Sequence, residues 1–245
     1  MQFTYDAYRD MIYSLKKKDY FFSTYTNCFD KNKTVILRHD IDYSIEKAIM
    51  LAKVEYDLDV KSTYFVLLTS PFYNLIARDN LSALNKIQEY GHCIGLHFDE
   101  LNYSKEYYDK HGGIRNVILE EVDLLETITG IDIKAVSMHR PSQDTLNANF
   151  DLSPLINSYS SYFFKEFKYI SDSRRRWRED IDEIIDSEIY EKLHILTHAF
   201  WYNEKEETLK TSISKFVRNA TFDRYDILKE NISNLEEIVE RKELE

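Results

Sequence analysis

At 245 residues, with 43% apolar and 14% aromatic side chains and few Gly or Pro, the chain is long and apolar enough for one substantial core, which excludes a disordered or linker-rich protein. A formal net charge of −11 sets its field against nucleic acid and anionic lipid, so neither is expected as a partner. Cys28 and Cys93 make neither a disulfide framework nor a zinc knuckle, residues 1–6 lack a secretion-signal pattern, and no window approaches the ~18 uninterrupted apolar residues of a membrane span; the expectation is a cytoplasmic protein, one domain over 1–245.

Apolar positions at helical spacing predict an amphipathic helix over 5–18, followed by an aromatic connector, Tyr20-Phe21-Phe22. The apolar run 34–37 leads a first strand ending at Asp42. Ser44 then caps a helix to about residue 56, with Ile45, Ala48, Ile49 and Ala52 at helical spacing. The β-branched and aromatic run 62–68 predicts a second strand, and Leu81, Leu84 and Ile87 mark a helix closed by Gly91. A third strand over 92–96, a strong amphipathic helix over 114–129 stopped by Gly130, and a fourth strand over 133–138 follow. Residues 150–169 mix serines and aromatics, with a fifth strand expected over 167–170, a helix near 181–193 and a last strand over 194–197. From about 204 the chain reads as one or two charged helices. Strands alternating with helices predict parallel βαβ units.

The most informative stretch is Arg38-His39-Asp40-Ile41-Asp42. Side chains alternate along a strand, so Asp40 and Asp42 project to one side, at the strand end where α/β folds collect ligands. Like charges that close need a metal ion, an Arg or a shared proton between or beside them. Further apolar runs end in ligand-capable groups: at His97 and Asp99, at His139-Arg140-Pro141, at Ser171-Asp172-Ser173, and at His198. Strand exits in that order suggest a ring of loops around a single site, which points to an enzyme.

Taken together, these endings resemble the motifs of the polysaccharide deacetylase family, the NodB-homology or carbohydrate esterase family 4, over roughly residues 35–202. The resemblance implies an incomplete or distorted (β/α) barrel of the NodB-homology type, here with N- and C-terminal helical additions. It implies Asp40 as catalytic base, Asp42 and His97 as metal ligands, Arg140 of the Arg-Pro phrase as the residue that orients the base, and His198 of Leu196-Thr197-His198 as catalytic acid. Where the family has a second ligand His, four residues after the first, this sequence has Leu101. His139 is proposed to supply the missing ligand, with Asp99 and His92 the alternatives, a carboxylate oxygen also suiting zinc. Asp172 and Trp177 loosely echo the family's groove-lining Asp and Trp segment.

The implied cofactor is one divalent metal ion, zinc first, with nickel, cobalt and iron left open. The metal and Asp40 would activate water, Arg140 beside Asp40 would hold it ionised, and His198 would protonate the departing amine. Arg174, in the basic run Arg174-Arg175-Arg176 with Arg178, would meet a phosphate if turned inward. The short motif forms look most like deacetylase-like proteins of bacterial surface-polysaccharide synthesis. The expected activity is therefore metal-dependent N-deacylation, acetyl or formyl, of an amino sugar or sugar conjugate, nucleotide-linked or lipid-linked. A catalytically inactive sugar-binding or scaffold protein of the same fold is the alternative, and the oligomeric state is open.

Overall fold

A strand buried on both faces reads as a continuous apolar run rather than an alternation, and residues 34–41 behave in that way: every residue of Thr34–Ile41 is buried. The computed structural model describes residues 1–29 and 31–244. Its strands are β1 Phe21–Ser23, β2 Thr34–Ile41, β3 Thr63–Val66, β4 Cys93–Asp99, β5 Ala135–His139, β6 Ile156–Asn157, β7 Lys168–Ser171 and β8 Lys192–Thr197. All pair in parallel, in the order β6-β5-β4-β3-β2-β8-β7, with β1 beside the start of β2. Among the described residues β6 and β7 do not pair, so the sheet curls into an incomplete (β/α) barrel, as expected from the sequence.

The helices of this part are α1 Tyr5–Lys17, α2 Ile45–Asp57, α3 Arg78–Glu89, α4 Lys105–Lys110, α5 Ile114–Thr129, α6 Gln143–Ala148, α7 Ser161–Glu166 and α8 Ile181–Ser187. Local chemistry sets their ends. The Ser44 hydroxyl accepts from Lys47 N at the start of α2, and Gly130, at φ 71°, takes the left-handed conformation that ends α5. The expected aromatic connector at 20–22 is in part a strand, β1, and the serine- and aromatic-rich stretch 150–169 holds β6 and α7.

The chain divides into two compact units, Met1–Glu204 and the segment from Lys205 on. The first contains the motif-bearing region. The second holds α9 Leu209–Asn231 and α10 Leu235–Ile238, where Tyr225 Oη donates to Val239 O at 2.9 Å. No helix among the described residues is long and apolar enough to cross a membrane.

Alternation along the strands separates two cores. Val35, Leu37 and Ile41 of β2 face outward into the main core with Ile45, Ala48 and Leu51 of α2 and Tyr8, Ile12 and Leu15 of α1. Ile36 faces inward, into a second cluster with Tyr25, Cys28, Phe65, Ala135, Phe163 and Phe167. Gly95 on β4 makes room for this inner layer: a Cβ there would stand 2.5 Å from the Phe65 ring and 2.8 Å from Ala135 O. Above this apolar floor the inward positions turn polar.

Candidate active site

Because every strand runs in the same direction, the C-terminal ends of β2, β4, β5, β7 and β8 open on one side of the sheet. The inward side chains at those ends are Asp40 and Asp42, His97, His139 and His198. They line a cavity of about 220 Å³, together with Arg140, Arg174 and Trp201.

Asp42, His97 and His139 form a tight group in which one potential ligand atom from each lies within 4.8 Å of the others. His97 Nε2 is 3.3 Å from Asp42 Oδ1, His139 Nδ1 is 3.4 Å from the same oxygen, and the two imidazole nitrogens are 3.1 Å apart. Asp42 Oδ1 is buried and makes no aligned hydrogen bond. These residues fit a divalent cation. Ligands held 2.0–2.1 Å from a tetrahedral zinc lie about 3.3 Å from each other, which is the spacing found, and two imidazoles with a carboxylate are a borderline N/O set. The alternative third ligands are engaged elsewhere: the Asp99 carboxylate accepts from Arg140 Nη2 and, at 3.2 Å, from Leu101 N, and His92 has Nδ1 3.0 Å from Ser62 Oγ and Nε2 3.0 Å from Ala52 O. Leu101 itself is 64% exposed.

Asp40 and His198 flank the group. Asp40 Oδ2 is 3.5 Å from His97 Nε2, and His198 Nε2 is 3.7 Å from Asp42 Oδ2. Burial pushes the Asp40 carboxyl up, but the Arg38 guanidinium, then His97, outweigh it and hold Asp40 below the ordinary carboxylate range. Asp42 behaves similarly: burial is outweighed by the His139 and His97 imidazoles set close against it, and its carboxyl lies well below the usual range.

Behind His198 stands Asp172. Its carboxylate lies 2.6 Å from His198 Nδ1 and accepts from His198 N, at 3.1 Å to each oxygen. Burial lowers the His198 pKa, yet the Asp172 charge and hydrogen bond, then Asp42 and Asp40, prevail and push it up to about 9. Nδ1–H donates to Asp172, which leaves Nε2 as the nitrogen facing the cavity.

Some sequence expectations need correction. Arg140 is not beside Asp40. Both oxygens of Asp40 are taken by Arg38, each at 2.8 Å, while Arg140, at φ 52° just after β5, pairs with Asp99 and is 57% exposed. Asp172 does not line a groove; it is fully buried as the partner of His198. Trp177 packs on the main core, and the indole at the cavity is Trp201. Arg174 does reach the cavity. Period-two spacing pairs Arg38 with Asp40 within β2 and was the available signal for that contact. No local pattern links Asp172 to a histidine 26 residues later.

The fold and these residues together define a parallel (β/α) half-barrel with a His/Asp cluster at its C-terminal strand ends. No protein-family model matches the sequence, and no curated protein does. Among solved structures, the chain is similar to a carbohydrate esterase family 4 pseudoenzyme from Bacillus anthracis, at 15% identity and a TM-score of 0.46, covering 77% of this chain and 62% of that one. It is also similar to a family 4 carbohydrate esterase from Bacillus anthracis, at 20% identity and a TM-score of 0.42, over 79% and 77% of the two chains. A third is a family 4 acetyl xylan esterase from Clostridium thermocellum in complex with cobalt, at 14% identity and a TM-score of 0.41, over 67% and 73%. These are structures of the family that the sequence motifs resemble.

Proposed function

We propose that this protein is a metal-dependent N-deacylase of the polysaccharide-deacetylase type, removing a small acyl group, acetyl or formyl, from an amino sugar or sugar conjugate in bacterial surface-glycan synthesis. The observation that carries this reading is the convergence of Asp42 Oδ1, a buried oxygen that makes no aligned hydrogen bond, with His97 Nε2 and His139 Nδ1 at 3.1–3.4 Å, flanked by a carboxylate and an imidazole. Asp42, His97 and His139 would hold the cation, zinc by the chemistry of the set. When bound, such an ion polarises a carbonyl and makes water acidic enough to attack near neutral pH.

The chain's own residues supply the proton traffic. Asp40, held ionised, accepts the proton of the attacking water. His198 carries a proton on Nε2 and delivers it to the departing amine, and Asp172 keeps that imidazole oriented and charged until it does so. Arg174, with Arg140 nearby on the cavity wall, supports a substrate bearing a phosphate, as a nucleotide-linked or lipid-linked sugar does. The free cysteines, Cys28 and Cys93, support a cytoplasmic setting.

A second reading, a catalytically silent sugar-binding protein, is favoured by the exposed Leu101 where the family resemblance calls for a ligand. Elemental analysis separates the two. Native protein purified without chelator or metal-binding tag is expected to hold about one equivalent of divalent metal, and Asp42→Ala to hold none. N-acetyl and N-formyl amino sugars are then screened for amine release. Native protein that binds no metal even after zinc is added would leave the silent reading standing.

A further inference from the structure

Asp40 is held from within its own strand. Arg38 and Asp40 lie two residues apart on the inward face of β2, and Nε and Nη2 of Arg38 each donate to one carboxylate oxygen at 2.8 Å. Nη2 also donates to Ser137 Oγ on β5. The same hydroxyl oxygen lies 3.0 Å from His97 Nδ1. Arg38 is fully buried, with its guanidinium over the Phe65 ring at 5.4 Å and the Tyr159 ring at 5.0 Å. One planar side chain thus touches the base directly and a metal-ligating histidine through a single hydroxyl.

A guanidinium only donates, so Ser137 Oγ accepts from Arg38. The hydroxyl oxygen has a second lone pair, and a His97 that ligates through Nε2, the atom that faces Asp42 and His139, carries its proton on Nδ1, where it can donate to that lone pair at 3.0 Å. Ligating histidines are commonly fixed in this way by a partner on the far nitrogen.

We infer that Arg38 is a positioning residue with two outputs: its fork aims Asp40 and, by anchoring Ser137 Oγ, it holds in place the acceptor for Nδ1–H of the tautomer in which His97 holds the metal. The inference rests on the function proposed above. It places on β2 the task that the family resemblance would give to Arg140, which leaves Arg140 on the cavity wall. Lysine cannot replace Arg38, because a point charge on a flexible stem cannot span two carboxylate oxygens and a hydroxyl in one plane.

The test is a double-mutant cycle read in zinc affinity, by competition with a chromophoric chelator, so that no substrate is needed. Ser137→Ala is expected to weaken zinc binding about 10- to 100-fold. Arg38→Lys should weaken it comparably, and the double variant no more than either single one. A purely structural Arg38 would lower the melting temperature and leave zinc affinity at the wild-type value, or its loss would multiply with that of Ser137→Ala; either result overturns the inference. Where Arg38→Lys does not fold, Ser137→Ala decides alone, and wild-type affinity in that variant overturns the inference. Once a substrate is in hand, Arg38→Lys should lower kcat with little change in KM, and cost nothing further in an Asp40→Asn background. Wild-type protein that takes up no zinc removes the proposed function and this inference together, whereas zinc binding indifferent to residues 38 and 137 removes the inference only.

Discussion

Strand β2 sends polar side chains to both of its faces, and the two sets are finished differently. On the outer face, His39 Nε2 lies 2.8 Å from Glu55 Oε1 of α2, and that carboxylate also accepts from Tyr8, Ser62 and Tyr64, each at 2.7 Å. His39 Nδ1 lies 2.6 Å from Thr197 Oγ1 on β8. Every strong acceptor position on Glu55 is used. On the inner face Asp40 is satisfied by Arg38, but two residues on, at the strand's exit, Asp42 Oδ1 is buried among imidazole nitrogens without an aligned hydrogen bond. A saturated buried network specifies a fold, whereas an unsaturated one asks for a ligand. Both are acid-and-histidine clusters, and it is the accounting of donors that separates structure from function.

The largest effects should come from breaking each set at its centre. Asp40→Asn keeps the shape of the base and removes its charge, so the deacylase rate should fall about 10²- to 10⁴-fold, with metal content near that of the wild type and a lower melting temperature, because the buried Arg38 loses its counter-charge and one of its two acceptors. Steady-state kinetics beside elemental analysis checks this, and unaltered kcat would remove Asp40 as the base. Glu55→Ala should cost stability and spare the metal group. It leaves Tyr8, Ser62, Tyr64 and His39 without their common acceptor, and removal of one partner from such a buried network costs about 3–5 kcal/mol. Denaturant titration should show that loss. If the variant folds at lower temperature, its zinc affinity should match the wild type, because nothing in the outer network touches the metal group.

Acid should reach the outer network next. Burial raises the Glu55 carboxyl, but His39 by charge and hydrogen bond, then His92 and Ser62, outweigh it and hold its pKa at about 2 against an ordinary 4.5. A folded-state pKa depressed in this way contributes stability that is fully present above the unfolded value and is lost as pH falls through the folded one. The contribution is about 3 kcal/mol, lost between about pH 4.5 and pH 2. Unfolding titrations across that window should show the decline, and Glu55→Gln should flatten it. A wild-type curve no steeper than that of Glu55→Gln would mean that other carboxylates govern acid unfolding.

The same difference explains what could be read from the sequence. Alternation placed Asp40 and Asp42 together at a strand exit, and the caps Ser44 and Gly130 marked helix ends, because these are local signals within a few residues. β1 and β6 escaped because strands of three and two residues carry no period to detect. At the site, His97 and His139 were legible from their strand ends. The Arg38 fork was open to the same alternation argument, but the Arg140-Pro141 phrase drew the role away from it. Glu55 and Asp172 were not legible: each is buried by helices and strands distant in sequence, and a lone acid in a helix or loop looks the same whether it is solvated or saturated.

A smaller prediction concerns the floor beneath the inner set. Gly95 has an ordinary strand conformation, so its lack of a side chain is a matter of space. A methyl group there would press on the Phe65 ring at 2.5 Å and on Ala135 O at 2.8 Å, and the second of these is backbone that cannot swing aside. Gly95→Ala should therefore cost about 1–3 kcal/mol as overpacking, seen as a lower denaturant midpoint with an unchanged slope. Phe65 is also the ring beneath the Arg38 guanidinium, so the displacement should carry into the polar layer and weaken zinc, where Glu55→Ala, despite its larger cost in stability, should not. A Gly95→Ala protein with wild-type stability would mean that the inner layer yields freely, and the rigid floor under the site would have to be given up.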